Sequence, residues 1–589
     1  MALEKKILAV GQQQILTGQP FRMGTKLLSR MDINSAKGAA RALIEVSMMS
    51  SNGIADPILT DTKTGTNIIY VPESDPDHQQ IIDSINTEIG QGRHPGLEVR
   101  LLKKSFLQDF EQMNEKQWLE FKHGMLYLPH RYVSSSSRDN QHGRFTGEMY
   151  YWDSYLYVLQ LLASNQLCEA QDLVKNFFYQ IDHYGMVLNA NRTYYLGRSQ
   201  PPLLSSMVMA IYHHMNKNVR DTHSFKNVVP PEQWLRQSMP YLEKEFEVWE
   251  QKSSREVKQG VRLAAYFDRF NHPCPEALDE PEYIEMAFGK PVEDTDLLTK
   301  YPNLFISIKD KTYFISSLTS ELIAKYLDTT LTREFVNAGR ENNDRARIAH
   351  DNAQRASGFD PCKTAFEEAC ACIIPVDLNT LLFKTALDIS YIAHYLQEDG
   401  HAGKGSLWRE KANTINRNMN ELLWDKQNGM FRNYNLYKQN YTETPFITMV
   451  YPMTFGLASD KQAASTARYI INNLTTLYGI KNTVCPGNDQ WDHIWAIMNY
   501  FANKGFRMYS RLPITINNEQ YLLGQVAREL SIRWINSVTD IFKTRHTFFE
   551  KTNAFDGSPD FPDAPHYGNQ TGFTWQAGGF ITIESRIDR

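Results

Sequence analysis

Apolar side chains recur at intervals of three and four residues along most of this 589-residue chain. This spacing predicts amphipathic helices, because side chains three or four positions apart share one face of a helix. The pattern is clearest in residues 150–179, 203–216, 233–252, 314–327, 377–398, 405–424, 460–474, 490–503 and 518–545. Strand-like alternation is scarce, with short candidates at residues 68–71 and 429–435. The chain is therefore predicted to be mainly helical.

Many helices of similar length, joined by polar and aromatic loops, suit either a helical bundle or a toroid of helical hairpins. Periodicity alone does not separate the two, and no short sequence repeat indicates a solenoid. Residues 1–120 are less regular and are predicted to form an extension that wraps or caps a main domain at residues 121–589. Residues 339–357 are rich in charge, Asn and Ala, and are predicted to be an exposed helix or a mobile insertion.

Charge and hydropathy exclude several classes of protein. The net charge of -5 argues against nucleic-acid binding, which usually requires a basic surplus. No apolar stretch reaches the roughly 18 residues of a membrane span. Gln12–Gln14 interrupt the short apolar run that follows Lys5 and Lys6, so no secretory signal is expected. Six scattered cysteines form neither a zinc pattern nor a dense disulfide framework, which predicts a reducing, cytoplasmic location.

Five clusters of Trp, Asp, Arg, Asn and Gln occur in loop-like positions. The sequence contains no phosphate-binding loop, dinucleotide fingerprint, His-Glu-x-x-His helix or Gly-x-Ser-x-Gly elbow. The clusters are Gly143–Tyr155, Asn189–Pro202, Ser357–Asp360 with Pro375–Asn379, Asp489–Asp492, and the segment from Phe549 to Trp575. Each sugar hydroxyl both donates and accepts a hydrogen bond, so Asp, Asn, Gln and Arg side chains can bind it with paired hydrogen bonds, while Trp and Phe cover the apolar faces of sugar rings. The clusters therefore indicate a carbohydrate site.

The clusters resemble the signature blocks of the trehalase family. Gly143-Arg144-Phe145 with Trp152-Asp153 is similar to the first signature, and Gln490-Trp491-Asp492 to the start of the second. Arg198–Pro202 and Pro375–Asn379 match further family blocks. The blocks keep the family's order from about residue 125 to residue 580. The resemblance implies an all-α (α/α)6 toroid with a central site, and hydrolysis of trehalose to two glucoses with inversion and without a cofactor.

The resemblance also implies the two catalytic carboxyl groups. Asp360, in Ser357-Gly358-Phe359-Asp360, would be the general acid, although Phe359 replaces the family's Trp. Glu550 would be the general base. An inverting enzyme protonates the bridging oxygen with one carboxyl and activates water with the other, at a separation of roughly 6.5–9.5 Å. Asp360 must then stay protonated near neutral pH, so apolar or anionic surroundings are expected to raise its pKa.

By the same resemblance, nine residues would bind the sugar. They are Arg144, Trp152, Asp153, Asn189, Arg198, Gln200, Glu276, Gly358 and Trp491. The substrate would be a small disaccharide, with no metal, no nucleic acid and no membrane involved. The protein is expected to act as a monomer.

Two departures from the family pattern keep other functions open. The family's Arg-Pro-Glu block corresponds either to Cys274-Pro275-Glu276 or to Glu280-Pro281-Glu282, and the Arg is missing from both. A Pro- and Asp-rich stretch at Ser558–Pro565 replaces the family's Gly-rich lid, with His566 near the position of the lid's Glu. The alternatives are a hydrolase of another α-glucoside and a catalytically weak sugar-binding protein. Retention of Asp360 and Glu550 favours an enzyme.

Overall fold

The structure is a computed structural model. It describes residues 21–49, 67–137, 145–217, 229–270, 272–278, 280–288, 305–314, 345–360, 362–367, 369–397, 402–484, 490–561 and 568–587, together with residues 291 and 299. Within these residues the chain is dominated by helices, as the periodicity predicts. The predicted helix at residues 314–327 lies almost wholly outside the described residues.

The helices of the described residues are numbered here in chain order. They are α1 (Arg30–Val46), α2 (His78–Gly90), α3 (Phe106–Gln112), α4 (Glu115–Glu120), α5 (Tyr151–Ala163), α6 (Leu167–Tyr184), α7 (Leu204–Lys217), α8 (Pro231–Ser253), α9 (Pro281–Phe288), α10 (Arg345–Ser357), α11 (Lys363–Phe366), α12 (Val376–Tyr395), α13 (Ala402–Leu422), α14 (Tyr451–Thr454), α15 (Asp460–Asn473), α16 (Ala496–Met508), α17 (Leu523–Arg545) and α18 (Thr574–Glu584).

The strands of the same residues are short. They are β1 (Met48–Met49), β2 (Ile68–Pro72), β3 (Glu98–Leu102), β4 (Met125–Leu126), β5 (Tyr132–Val133), β6 (Ser254–Lys258), β7 (Val261–Ala264), β8 (Phe305–Ile308), β9 (Lys311–Phe314), β10 (Ile373–Ile374), β11 (Trp424–Asp425), β12 (Met430–Phe431), β13 (Tyr434–Asn435), β14 (Asn440–Tyr441), β15 (Ile494–Trp495), β16 (Pro513–Ile516), β17 (Glu519–Leu522) and β18 (Lys551–Thr552). Both strand candidates of the sequence are confirmed, the second as two separate strands.

Six of the described helices form a closed inner ring. Each packs against the next in the order α5, α7, α12, α14, α16, α18 and back to α5. Each also has an outer partner, so that the pairs are α5 with α6, α7 with α8, α12 with α13, α16 with α17 and α18 with α1, while α15 packs on the 3-10 turn Ile447–Val450 that leads into α14. This is the (α/α)6 toroid, and the predicted fold class is confirmed.

Inner and outer helices differ in side-chain pattern because they differ in burial. The inner helix α5 carries buried side chains on all sides, and all of α18 is buried. A helix that is apolar all round is stable only inside a protein. The outer helix α15 has one buried face and begins with a capping box, in which Ser459 and Gln462 exchange side-chain to backbone hydrogen bonds.

The N-terminal part of the chain contributes to the toroid. Helix α1 packs on α18 and α17 and so supplies the sixth outer helix. Residues 67–128 form a small unit in which β2 pairs in parallel with both β3 and β4 and carries α2 against it. The boundary at residue 120 stays a prediction.

Helix α10 differs from the expectation for residues 339–357. Residues 339–344 lie outside the described part of the chain, but Asn352, Gln354, Arg355 and Ser357 are all buried. The expectation of an exposed helix is therefore wrong for the second half of α10. The buried guanidinium of Arg355 forms ion pairs, with Asp351 within the helix and with Glu276 outside it. None of the helices in the described ranges is long and apolar enough to cross a membrane.

Candidate active site

A pocket opens where the segments that lead into the inner helices meet. Its walls include the first turn of α5, the segment before α7, the end of α10 with the loop after it, and the segments that enter α16 and α18. The lining residues are Phe145, Tyr150, Trp152, Asp153, Asn189, Tyr195, Gln200, Glu276, Arg355, Gly358, Asp360, Trp491, Trp495, Glu550, Phe573 and Trp575. The pocket encloses about 490 Å³ of empty space including its open mouth. It combines four carboxyl groups with several large aromatic rings.

Asp360 lies two residues beyond Gly358, just after α10. Its backbone carbonyl accepts hydrogen bonds from Trp491 Nε1 at 2.9 Å and from Gln490 Nε2 at 3.1 Å. The side chain is deep in the protein but keeps 34% of its surface open toward the pocket. Burial raises the pKa of Asp360 to about 6, against the opposing effect of the Arg355 guanidinium and with a further rise from the charge of Glu276. The carboxyl is thus suited to hold a proton close to neutral pH.

Gly358 brings Asp360 close to Trp152. Its φ of +79° lies in the left-handed region, and a Cβ atom there would stand 2.8 Å from the Trp152 ring. Only glycine satisfies both conditions at once. The Trp152 ring also meets Phe359 edge-on, with ring centroids 5.4 Å apart.

Glu550 is held by a short antiparallel pairing. Strand β18 begins at the next residue and pairs with β15, which places Lys551 opposite Trp495. The backbone of Glu550 is fixed on both sides, since its N–H donates to Gln570 O at 3.0 Å and its carbonyl accepts from Trp575 Nε1 at 2.9 Å. The residue is only 3% exposed. The position of this carboxylate is therefore set by the entry segments of α16 and α18.

Lys551 and Gln490 connect the two candidate catalytic residues. The fully buried Lys551 ammonium donates to Glu550 Oε2 at 3.1 Å and to Gln490 Oε1 at 2.8 Å. The amide nitrogen of the same Gln490 donates to the backbone of Asp360. One hydrogen-bonded chain thus runs from Glu550 through Lys551 and Gln490 to Asp360. The attraction between the Lys551 ammonium and the Glu550 carboxylate offsets part of the cost of removing both charges from water.

Asp153 is a second carboxyl group with a raised pKa. It is buried in the first turn of α5, and Ser135 Oγ donates to its Oδ2 at 2.6 Å. Burial raises the pKa of Asp153 to about 7, although the Ser135 hydrogen bond lowers it, and the nearby charge of Glu550 adds to the rise. Asp153 therefore carries less negative charge beside Glu550 than an ordinary aspartate would.

Glu276 is the centre of a buried charge cluster. Arg198 Nη2 donates to Glu276 Oε1 at 2.9 Å, and Arg355 Nη1 lies 3.7 Å from the same oxygen. The Tyr195 hydroxyl donates to Glu276 Oε2 and is itself 2.8 Å from the Tyr150 hydroxyl. Arg198 also contacts Asp268 Oδ2 at 3.4 Å. The position of Glu276 is thus fixed by two guanidinium groups and a phenol.

Tryptophans form a wall beside the carboxyl groups. Trp491 stacks on Trp495 with ring centroids 3.7 Å apart, and Trp152 lies 5.8 Å from Trp491. Trp575 contacts Trp152 at 5.9 Å between ring centroids. Aromatic faces of this kind can cover the apolar faces of sugar rings, while the carboxylates and amides next to them can bind hydroxyls.

The pocket brings together most of the residues that the sequence predicts. Asp360, Glu550, Trp152, Asp153, Asn189, Gln200, Glu276, Gly358 and Trp491 all line it. Arg198 lies behind the wall and contacts the pocket through Glu276. Arg144 is outside the described residues, and so are residues 562–567 of the segment that replaces the lid. The catalytic and binding roles of all these residues stay predictions.

Sequence reasoning missed several lining residues. Tyr150, Tyr195, Phe573 and Trp575 belong to clusters that the sequence singles out, but nothing in the sequence distinguishes them from core aromatics. The sequence gives no signal for Arg355, because the composition of residues 339–357 predicts an exposed helix or a mobile insertion. Among the described residues, no group of three or more His, Cys, Asp or Glu side chains could hold a metal ion.

The fold and this pocket together define an (α/α)6-toroid protein with a central pocket lined by carboxyl, amide and aromatic side chains. The trehalase family profile matches residues 56–316 and 315–586. The chain belongs to the trehalase family.

Individual relatives agree with this assignment. A probable trehalase of Saccharomyces cerevisiae is 30% identical over 450 residues, which cover 73% of this chain and 50% of that protein. A cytosolic neutral trehalase of Beauveria bassiana is 28% identical over 480 residues, covering 74% of this chain and 57% of that one. The solved structure of a neutral trehalase from Saccharomyces cerevisiae matches with a TM-score of 0.67 at 21% identity and covers 94% of both chains. The chain thus spans about half the length of the curated relatives it matches.

Proposed function

We propose that this protein hydrolyses α,α-trehalose to two glucose molecules with inversion at one anomeric carbon. The observation that carries the proposal is that Asp360 and Glu550 line the same pocket but have different surroundings. Asp360 has a pKa raised to about 6 and keeps an open face toward the pocket. Glu550 is buried, and its carboxylate accepts a hydrogen bond from the Lys551 ammonium. Two carboxyl groups in such different environments suit an acid and a base.

In this mechanism the two carboxyl groups act in one step. Protonated Asp360 donates its proton to the oxygen that bridges the two sugars, while Glu550 removes a proton from a water molecule that attacks the anomeric carbon. The attacked glucose leaves with inverted, β configuration, and the other glucose keeps its α configuration. Glu276, Asn189 and Gln200 line the pocket, and we assign them to binding of hydroxyls and the tryptophan wall to covering of ring faces.

The proposal is tested by proton NMR of the products formed from trehalose. An inverting hydrolase releases α- and β-glucose in equal amounts before mutarotation, whereas a retaining one releases only the α anomer. Equal early signals support the proposal. If trehalose is not hydrolysed but another α-glucoside is, the substrate is different. If sugars bind without turnover, the protein is a binding protein and the catalytic proposal is wrong.

The rate of hydrolysis is expected to fall as pH rises through about 6. Asp360 must be protonated to act as the acid, so its activity is present below its pKa of about 6 and is lost above it. Because kcat/KM reports the pKa values of the free enzyme, log kcat/KM should approach a slope of about -1 per pH unit on the alkaline side. A profile that stays flat up to about pH 8 would contradict the assignment of Asp360 as the acid.

Gly358→Ala is expected to raise the KM for trehalose and to lower stability. The new methyl group would displace the Trp152 ring, and alanine at a φ of +79° costs about 1–3 kcal/mol. Gly260→Ala is the matched control, because Gly260 has the same φ of +79° but no atom within 4 Å of the point where a Cβ would stand. Both variants should unfold at lower temperature, but only Gly358→Ala should change KM. Equal KM values in the two variants would mean that Trp152 does not contact the sugar.

We also infer a cytoplasmic location. The relative from Beauveria bassiana is named as cytosolic, and no disulfide joins the cysteines of the described residues. Cell fractionation tests this inference, and recovery of the protein in the medium would contradict it.

A further inference from the structure

We propose that Lys504, Arg507 and Arg586 form a binding site for a phosphate group at the end of the toroid opposite the pocket. The pocket lies where segments enter the inner helices, and none of the three cations lines it. Arg507 is in the last turn of α16, with Lys504 three residues earlier, and Arg586 follows the end of α18 by two residues. The cations therefore lie at the exit ends of two inner helices that pack on each other.

The first argument is that these cations have no carboxylate to neutralise them. Within the described residues, no Asp or Glu oxygen lies within 4.0 Å of Lys504, Arg507 or Arg586. The charge of Asp388 acts on Lys504 from a greater distance, but Asp388 itself contacts the Lys384 ammonium. Like charges that share a site without a counter-ion disfavour one another's charged form. A bound anion would remove this cost.

The second argument is that the three cations act on one another. Burial lowers the pKa of Lys504 and of Arg507, and the positive charge of Arg586 adds to both shifts. Tyr500 and Asp388 oppose the shift of Lys504. The charged forms are thus less stable here than in water, although the side chains are only partly exposed. Such a cluster lowers stability when it is empty and gains most from an anion that contacts several of its members.

The third argument is that aromatic side chains hold two of the cations in place. Lys504 Nζ donates to the Tyr155 hydroxyl at 3.2 Å and lies 4.5 Å from the centre of the Phe455 ring. Arg586 Nη1 donates to the Tyr500 hydroxyl at 3.3 Å, and its guanidinium carbon lies 5.3 Å from the centre of that ring. Cations that are positioned before a ligand arrives reduce the entropic cost of binding it.

The fourth argument is a buried donor of Arg507. Its Nε donates to Asn503 Oδ1 at 2.9 Å, whereas its Nη2 is buried and has no hydrogen-bond partner among the described residues. A buried donor without a partner is costly, and a ligand oxygen would satisfy it. Cations are also favoured at helix C-termini for their effect on the helix dipole. In the described part of the chain, however, the side chains of Lys504, Arg507 and Arg586 donate to no backbone carbonyl.

The set of donors identifies the chemical class of the ligand. Two guanidinium groups and one ammonium offer several charged donors in different directions. A phosphate dianion presents at least three acceptor oxygens and carries enough charge to attract all three cations, whereas a carboxylate presents only two oxygens and a single charge. Inorganic phosphate and a phosphate monoester share this chemistry, so both are used as probes.

The test measures thermal unfolding of the full chain in phosphate-free buffer, titrated with inorganic phosphate or with glycerol 3-phosphate. Chloride keeps the ionic strength constant. A ligand of the folded state raises the unfolding temperature as its concentration exceeds its Kd. Arg507→Met and Arg586→Met should each weaken binding about ten- to a hundredfold, as expected for hydrogen bonds from a charged donor. Arg432→Met is the control and should respond as wild type, because Arg432 already has a carboxylate partner, Asp425, at 3.2 Å.

The phosphate-dependent shift of each variant is the readout, so a lower unfolding temperature without phosphate does not affect the comparison. A shift with either probe that is lost in Arg507→Met and partly recovered in Arg507→Lys supports the site. A larger shift with glycerol 3-phosphate than with inorganic phosphate would identify the ligand as a phosphate monoester. No shift of wild type up to about 10 mM of both probes, or equal shifts in wild type, Arg507→Met and Arg586→Met, would overturn the inference. None of these measurements depends on hydrolysis of trehalose.

Discussion

Replacing Glu550 with glutamine is expected to reduce kcat for trehalose by about 10³-fold, and Asp360→Asn to reduce it to a similar extent. The glutamine amide would keep the size of the side chain and could still accept from Lys551, but it cannot take a proton from water. The backbone hydrogen bonds of Glu550 to Gln570 and Trp575 do not involve the side chain, so the fold of this segment should persist. The measurement is the rate of glucose release, with thermal unfolding as the check on folding.

A second substrate separates the acid from the base. α-Glucosyl fluoride has a leaving group that departs without protonation, so Asp360→Asn should hydrolyse it much better than it hydrolyses trehalose. Glu550→Gln should be defective with both, because water must be activated in either case. Glu410→Gln, a change at an exposed carboxylate, serves as control and should behave as wild type. If Glu550→Gln retains wild-type kcat on trehalose, the assignment of Glu550 as the base is wrong.

The sequence predicts most of the helices because most have one apolar and one polar face. It does not reveal α18, in which every side chain is buried and Gly578 and Gly579 interrupt the apolar pattern. These glycines lie against Leu156 and Ala496 of neighbouring inner helices, so they allow close helix contact. Because α18 buries side chains on every face and carries two adjacent glycines, its apolar residues show no helical periodicity.

The sequence predicts the site residues that lie within short blocks of neighbouring residues. It misses those whose surroundings come from residues far away along the chain. Trp152 and Asp153, or Gly358 and Asp360, lie within short blocks that the family resemblance covers. Arg355 is instead paired with Glu276, a residue far away along the chain. The partners of a buried charge come together only in the folded chain, so the sequence does not show which charges form ion pairs. The charge-rich composition of α10 therefore wrongly predicts an exposed helix.

Arg198→Met is expected to destabilise the protein by about 3–5 kcal/mol at neutral pH, the usual cost of removing one partner of a buried ion pair. Arg198 is 2% exposed and contacts both Glu276 and Asp268. Methionine fills similar space but leaves the two carboxyl groups without this cation. The measurement is thermal unfolding, with Arg417→Met as control, since the side chain of Arg417 is 65% exposed and its loss should change stability by only about 0.5 kcal/mol or less.

The pH dependence of this loss identifies its cause. Burial already raises the pKa of Asp268 to about 6 with Arg198 present, and removal of the guanidinium raises that pKa further. A group with a raised folded-state pKa stabilises the protein at low pH, and this contribution disappears as pH rises through that pKa. The difference in stability between Arg198→Met and wild type should therefore be smaller at about pH 5 than at about pH 7. An equal difference at both pH values would mean that lost packing, and not the uncompensated charge of Asp268, accounts for the effect.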